Sequence, residues 1–548
     1  MPLITFSFND FTQLLKHPLS KEKLLEKLPM IGADLDKVED DLISIEFFPD
    51  RPDLLSVEGI VRASRAFFSF ETGLKTYNIT SSDIKITVDP SVKQIRPIVR
   101  CALVKNVTMS DELIASLMDL QEKLHFGVGR NRKKVAIGVH NYEPIQPPFT
   151  YKAVDPESVQ FVPLAKVESM TLKDILLKHE KGIAYAHLLK DFTVYPLITD
   201  SYDNVLSFPP IINGILTEVT PYTTDLFIDV TGSDLKAVNI ALNIVTTALA
   251  ERGGTIHTTT IIDGDETIIS PDLNPHTRSL SFEYVNKILG PKFDKETIKQ
   301  CLEKMGFNID INENNTFSIK IPSWRSDILH EIDIVEDVAI GYGFEKFDKK
   351  LPQVFTFGKH LYDQELLDNL RTIMIGFGFN EVTTFTISNE RDEYLKLGLN
   401  PGKKVELKNP ISEDYSCIRT TLLPSLLKIL GENKHHPLPQ NIFELGIIVN
   451  EEYKNTNHLG IIRTSAKAHF TECKSLAEGI LREVGISPYT ISEKKHNAFV
   501  SGRCASIYKK DEEIGYFGEL HPETILNFEL EHPIIAIEIN VENLKKSL

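Results

Sequence analysis

The sequence predicts a multidomain α+β protein in four regions. These are an N-terminal α/β unit over residues 1–85, a β-rich region over 90–265, a winged-helix-like unit over 271–347, and a domain on an antiparallel sheet over 355–548. Three observations predict this. At 548 residues the chain is too long for one core and suits about three to five domains. Helical stretches carry their own polar starts and glycine stops, so each reads as a separate element. Short apolar runs of period two lie between them and read as strands. No internal repeat or low-complexity tract interrupts the pattern.

Composition excludes several classes of function. The five cysteines (Cys101, Cys301, Cys417, Cys473, Cys504) lie far apart and form no CxxC pair. That spacing argues against a disulfide framework or a structural zinc site and for a reducing compartment. The opening "MPLITFSFND" has neither the basic start nor the apolar core of a signal peptide. No apolar run approaches the roughly 20 residues of a membrane span, so a soluble cytoplasmic protein is expected. The formal charge of −17 opposes non-specific coating of nucleic acid. One local basic patch stands against that background: "GRNRKK", Gly129 to Lys134, carries four positive charges in six residues before the apolar run "VAIGV". A solvated loop and a phosphate-contacting loop both fit it.

In the first region "SKEKLLEKLPMIG" has Ser20 as N-cap and Gly32 as stop. "ISIEFFPDRPDLLSVEGIVRASRAFF" reads as a strand, a Pro-flanked turn and a helix starting near Asp53. Asp50 and Asp53 are candidate ligands there, and Asp53 is also placed to cap the helix. In the second region "RPIVRCALVKNVTM" and "VAIGVHNY" read as strands flanking the amphipathic helix "SDELIASLMDLQEKLHF". "LTEVTPYTTDLFIDVTG" reads as a hairpin, with Leu226, Ile228 and Val230 at period two. The long helix "SDLKAVNIALNIVTTALAERGG" follows, with Ser233 as a cap and Gly253 as its stop. In the third region the helices "SFEYVNKILG" and "DKETIKQCLEKMGF" end on Gly290 and Gly306. "FNIDI" and "FSIKI" around "NENN" form a hairpin. In the last region "NIFELGIIV", "RCASIYKK", "EIGYFGEL" and "PIIAIEINV" read as members of one antiparallel sheet with helices between them.

The segment "IPSWRSDILHEIDIVEDVAIGYGFEKF", Ile321 to Phe347, holds the single tryptophan and a dense acidic group. On a helix Asp333, Glu336 and Asp337 fall at i, i+3 and i+4, and Asp327 lies just before it. Such a group suits Mg²⁺, which takes a few carboxylate oxygens and keeps several waters. It equally suits a helix N-terminus favoured by the helix dipole, with Arg325 as counter-charge.

This segment resembles the signature of the β subunit of phenylalanyl-tRNA synthetase, roughly PSWRxDI, five residues, DLxEEIAR, then YGY. Pro322, Ser323, Trp324, Arg325, Asp327 and Ile328 stand in the first half; Asp333, Glu336 and Asp337 stand in the second, with Asp337 where Glu is more usual. "EFFPDRPDLLSVEGIVRAS" resembles the family's N-terminal PNRPDLLS-type segment. "GRNRKKVAIGVHN" and "LSFPPIING" resemble its archaeal and eukaryotic editing domain, and "CIRTTLLPSLL", "NIFELG" and "GYFGELHPETILNFEL" its C-terminal domain. The short length is similar to that of the archaeal and eukaryotic form.

The resemblance implies a class II synthetase-like C-terminal domain without catalytic residues. A working site of that class holds ATP phosphates through arginines, and "NIFELGIIV" offers Glu444 and no arginine. His435 and His436, in the preceding loop, read as exposed loop residues. It implies a catalytic α subunit, an α2β2 assembly, tRNA(Phe), ATP as substrate of the complex, and Mg²⁺ at Asp327, Asp333, Glu336 and Asp337. It also implies an editing pocket that hydrolyses mischarged tyrosyl-tRNA, with Leu197, Ser207, Pro209, Asn213, Asp229, Thr231 and His140 as its residues and Asn141 beside them. No Ser-His-Asp or metal constellation is expected there, so hydrolysis would rest on positioned water. Arg130, Arg132 and Lys133 of "GRNRKK" would then meet the tRNA acceptor end. A structural subunit with a dead pocket and a nucleic-acid-binding regulator are the competing readings; hydrolysis of misacylated tRNA separates the first, salt-resistant DNA binding the second.

Overall fold

Ser20 accepts from the Lys23 amide and starts the helix Lys21–Lys27, whose chain turns at Gly32 with φ +104°. The next helix departs from expectation. It spans Val57–Phe67 and is capped by Ser56, which accepts from the Gly59 N–H. Asp53 instead lies in a 3₁₀ turn, Pro52–Leu54, and accepts from Arg51 Nε and Nη2 at 2.8 and 2.9 Å. The computed structural model describes residues 2–352 and 356–547 and divides into two units, 1–350 and 351–548. Residues 355 and 548, the expected limits of the last region, lie outside the described residues. Among the described residues no helix is long and apolar enough to cross a membrane.

Two sheets organise the middle of the first unit. A five-stranded sheet contains Ile98–Lys105, Leu226–Gly232 and Val135–Asn141 as neighbours, with Val135–Asn141 at its edge. The hairpin expected over 216–232 is absent: Leu226–Gly232 pairs with those two distant strands and is buried along its whole length. Leu226, Ile228 and Val230 face the core shared with the helix Leu235–Glu251, and Phe227 faces a second core. Both faces are covered, so the period-two pattern does not mark a solvent side. Asp234, one residue beyond Ser233, is the actual cap of that helix. The second sheet has seven strands and includes Lys85–Val88 in its interior, parallel to both Phe149–Val154 and Thr259–Asp263. Residues at the expected margin of the first region thus belong to this sheet. The first core likewise joins residues from Ile4 to Leu249 and takes in Trp324.

The remainder of this unit has the helices Phe282–Leu289, Lys295–Lys304 and Glu331–Tyr342 over a three-stranded sheet. Asn308–Ile311 and Thr316–Ile321 form the hairpin around "NENN", and His276–Ser281 adds the third strand.

The second unit is built on a seven-stranded sheet that is antiparallel except where Asn380–Glu381 joins Gln440–Val449. One face packs on the Tyr362–Gly376, Phe470–Glu483 and Val541–Ser547 helices through Phe443, Ile461 and Ile537. Ile442, Ile462 and Ala536 face the Leu423–Glu432 helix on the other side. Glu444 is buried there and is neutralised by Arg419 at 2.9 Å, whose Nε donates to the Ile447 carbonyl. Glu538 accepts from Tyr516 at 3.0 Å and pairs with His458 at 2.8 Å. His435 and His436 are exposed.

A cavity around an edge strand

An edge strand leaves backbone donors and acceptors without strand partners, and buried ones must be met by side chains. Val135–Asn141 meets this need through the helix Asp111–Phe126 beside it. The Ile137 N–H donates to His125 Nε2 at 2.8 Å, and its carbonyl accepts from Gln121 Nε2 at 2.6 Å. Asn213 Nδ2 donates to the Val139 carbonyl at 3.3 Å from the opposite side. These side chains line a cavity of about 470 Å³ that wraps the strand edge, within the range usual for small-molecule sites.

His125 is 2% exposed, and burial pushes its pKa down to about 4, so the ring is neutral at pH 7. The unfolded chain takes up a proton near pH 6.5 that the folded chain refuses. Stability therefore falls as pH drops from 7 toward 4, by up to about 3 kcal/mol. His125→Gln keeps an acceptor for the Ile137 N–H and removes this titration. Its melting temperature is expected to fall less steeply than that of the unaltered chain between pH 7 and 5 in thermal unfolding.

At the inner wall Asp229 stands opposite Gly138, and the alternation of strand side chains turns Asp229, Thr231 and His140 to one side. A Cβ at position 138 would collide with Asp229 Oδ2 and the His140 ring, so only glycine leaves room for that pair. Asp229 Oδ2 accepts from His140 Nε2 at 2.7 Å and from Ser207 Oγ at 3.4 Å. His140 Nδ1 and the Thr217 hydroxyl lie 2.7 Å apart, and that hydroxyl also donates to the Gly214 carbonyl at 3.2 Å. Among the described residues none donates to Asp229 Oδ1. Contrary to expectation, serine, histidine and aspartate do converge here. Both Ser207 and His140 point at Asp229 and not at each other, so the histidine is not wired to withdraw the serine proton.

The cavity gathers Ser207, Pro209, Asn213, Asp229 and Thr231 among the expected residues. Leu197 does not line it and is fully buried in the apolar cluster with Phe208. His140 is fully buried and reaches the cavity only through Asp229 and Thr217. Asn141 turns to accept from the Glu143 N–H.

Arg132, expected to contact tRNA, is 6% exposed and lies inside. Its guanidinium donates to the Pro210 and Ile211 carbonyls at 3.2 and 2.8 Å and to Glu122 at 2.6 Å, and stacks on Tyr185. Arg130 and Lys133 on either side are exposed. The turn that separates them holds Arg130, Asn131 and Arg132 all at positive φ, a costly arrangement that these side-chain bonds secure. Sequence reasoning also missed Arg96, which is buried. It donates to the Thr231 hydroxyl and carbonyl at 2.9 and 2.7 Å and has Asp229 as nearby counter-charge. These two contacts lie 135 residues away along the chain, and those of its Nη1 with the Arg132 and Lys133 carbonyls lie 36 and 37 away, so no local pattern signals them.

The acidic group of the third region is arranged differently from a metal site. Arg325 Nη2 donates to Asp327 Oδ2 and Asp337 Oδ2, both at 2.6 Å, and its Nε also donates to Asp327. Asp333 caps the helix by accepting from the Leu329 and His330 amides at 2.7 and 2.6 Å. Glu336 is exposed. Three of the four expected ligands are thus engaged elsewhere, and among the described residues no group of three or more His, Cys, Asp or Glu is disposed to hold a metal ion. As arranged, the group does not fit Mg²⁺; it is the arginine-neutralised helix start.

Residues 348–541 match the family model of the phenylalanyl tRNA synthetase beta chain CLM domain, and residues 278–344 that of the tRNA synthetase B5 domain. The phenylalanine–tRNA ligase β subunit of Methanosarcina acetivorans is 46% identical over 99% of both chains. That of Methanothrix thermoacetophila is 43% identical over 99% of this chain and all of its own. The crystal structure of an N-terminal fragment of the phenylalanyl-tRNA synthetase β subunit from Pyrococcus horikoshii is similar, with a TM-score of 0.61 and 38% identity. It covers 62% of this chain and 99% of that fragment. Identity at this level along the whole length places the chain in the family of phenylalanine–tRNA ligase β subunits.

Proposed function

We propose that the chain is the non-activating, editing subunit of an α2β2 phenylalanine–tRNA ligase. It supports ATP- and Mg²⁺-dependent attachment of phenylalanine to tRNA(Phe) by a catalytic α subunit, and its cavity hydrolyses mischarged tyrosyl-tRNA(Phe). Family membership supports the ligase role. The buried Arg419–Glu444 pair supports the absence of activation chemistry in the second unit, because that arginine is already neutralised. No step is assigned to Mg²⁺ on this chain.

The observation that carries the editing reading is Asp229. One oxygen is anchored by His140 and Ser207, and the other is left without a protein donor inside a cavity of about 470 Å³. An apolar pocket rejects an added hydroxyl by only about 10². A buried carboxylate oxygen reverses the preference, because it accepts from the phenol of tyrosine and is left unpaired by phenylalanine, at a cost of about 1–3 kcal/mol. Ester cleavage then needs a water held beside the carbonyl carbon, with the ribose oxygen as leaving group. Fixing that geometry is itself a large part of the rate. Arg130 and Lys133, exposed on the basic turn, are placed to meet acceptor-end phosphates, which position the substrate without reading sequence.

The complex of this chain with its α partner is expected to hydrolyse preformed tyrosyl-tRNA(Phe) at least about tenfold faster than phenylalanyl-tRNA(Phe). Equal rates would mean that the pocket is inactive and the subunit structural.

A further inference from the structure

We infer that Glu122 is the receptor for the α-ammonium group of the aminoacyl ester, an assignment that rests on the editing reading of the cavity. An aminoacyl ester carries one cationic group next to the bond to be cut, and only a carboxylate meets it without a proton transfer. Four carboxylates line the cavity: Glu122, Glu180, Glu218 and Asp229. Asp229 is 2% exposed and already anchored by His140 and Ser207, which suits the phenol end. Glu180 and Glu218 are exposed on the outer surface. Glu122 is exposed too, with 48% of its side chain accessible, and differs from those two in being held by Arg132 and Lys181.

Its geometry is set in advance. Glu122 Oε1 accepts from Arg132 Nη2 at 2.6 Å and from Lys181 Nζ at 3.3 Å. Among the described residues none donates to Oε2, and His125 Nδ1 stands 3.8 Å from Oε1. Arg132 is itself fixed by the Pro210 and Ile211 carbonyls, so the carboxylate is registered to the wall Pro209–Ile211 that lines the same cavity. Such registration of a binding group through a rigid neighbour is what positioning requires. These neighbours hold the Glu122 carboxyl well below the usual carboxylate range, so it is ionised at every working pH. The lining sets four carboxylates against Arg132 and Lys181, a balance that favours an ammonium and disfavours a phosphate.

The test compares tyrosyl-tRNA(Phe) with N-acetyl-tyrosyl-tRNA(Phe), which keeps the ester and phenol but lacks the ammonium. With the αβ complex, the unaltered protein is expected to favour the free amine by about tenfold in kcat/KM, the usual scale for a charged hydrogen bond. Glu122→Gln is expected to lower kcat/KM for the free amine by about that factor and to leave the N-acetyl substrate unchanged. An equal fall on both substrates would assign Glu122 to holding Arg132 and overturn the inference. So would no change on either, or an unaltered complex that treats the two alike. Hydrolysis of neither by the unaltered complex removes the editing reading and this assignment with it. Hydrolysis of both with no amine preference removes only the assignment.

Discussion

Asp229→Asn is expected to slow hydrolysis of tyrosyl-tRNA(Phe) by about a hundredfold and to let tyrosylated tRNA accumulate during aminoacylation by the complex. The substitution keeps the shape and removes the charge. Asn has one oxygen where Asp229 has two, and His140 Nε2 at 2.7 Å and the phenol both require an acceptor. Whichever takes the amide oxygen, the other faces an NH2 group, so a charged hydrogen bond worth about 1.5–3 kcal/mol is lost. The buried Arg96 loses its nearby counter-charge in the same step, which disturbs the Thr231 wall it holds. A hundredfold change in rate corresponds to about 2.7 kcal/mol, inside that range. The measurement is the single-turnover rate on preformed tyrosyl-tRNA, with phenylalanylation followed in parallel. A rate within threefold of the unaltered complex would remove Asp229 from phenol recognition.

The same residue shows where sequence reading stops. In "FIDVTG" the alternation of Ile228 and Val230 with Asp229 and Thr231 is the pattern of a strand with a wet face, and a hairpin follows from that. The polar side is in fact closed over by a second sheet and the loop from Ser207 to Asn213, and its polarity belongs to a cavity. Local signals with local causes were legible: Ser20 as a cap, the glycine stops at Gly290 and Gly306, and the hairpin around "NENN". Partners distant in the chain were not. Glu122 and His125 belong to the amphipathic helix "SDELIASLMDLQEKLHF", whose pattern does not single them out, and only the edge of Val135–Asn141 explains why His125 is buried. Arg132 sits in a basic run with nothing to distinguish it from Arg130 and Lys133. The Pro210 and Ile211 carbonyls that draw it inward lie 78 and 79 residues on. The acidic group at Asp333–Asp337 has the one-face spacing expected of it, yet spacing on a helix does not say whether the charge partner is a metal or an arginine.

Arg325→Met distinguishes those two partners and is expected to be among the most destabilising single changes in the first unit. The Arg325 side chain is 2% exposed and joins Asp327 to Asp337, themselves 12% and 4% exposed, while its guanidinium lies 5.0 Å from the Phe307 ring centroid. Methionine fills much of the volume but leaves both carboxylates without their main partner. Arg51 cannot replace it, because it is committed to Asp53 at 2.8 Å and stands 3.9 Å from Asp327. Removing one member of a buried charge group in this way costs about 3–5 kcal/mol, a large share of a domain's stability. Burial already pushes the Asp337 pKa up to about 6, and loss of the arginine raises it further. A carboxyl whose folded pKa lies above its unfolded value stabilises the fold when protonated, and that contribution disappears as pH rises through the folded pKa. The defect of Arg325→Met should therefore be largest at pH 8 and shrink toward pH 5. Trp324, the single tryptophan and the immediate neighbour, reports the unfolding by fluorescence. Adding Asp337→Leu to the same chain should recover part of the loss, since an apolar replacement of buried ions is often neutral or better. Magnesium provides the contrary outcome: if millimolar Mg²⁺ restored the Arg325→Met chain at pH 8, Asp327, Asp333, Glu336 and Asp337 would be a cation site that the arginine merely occupies.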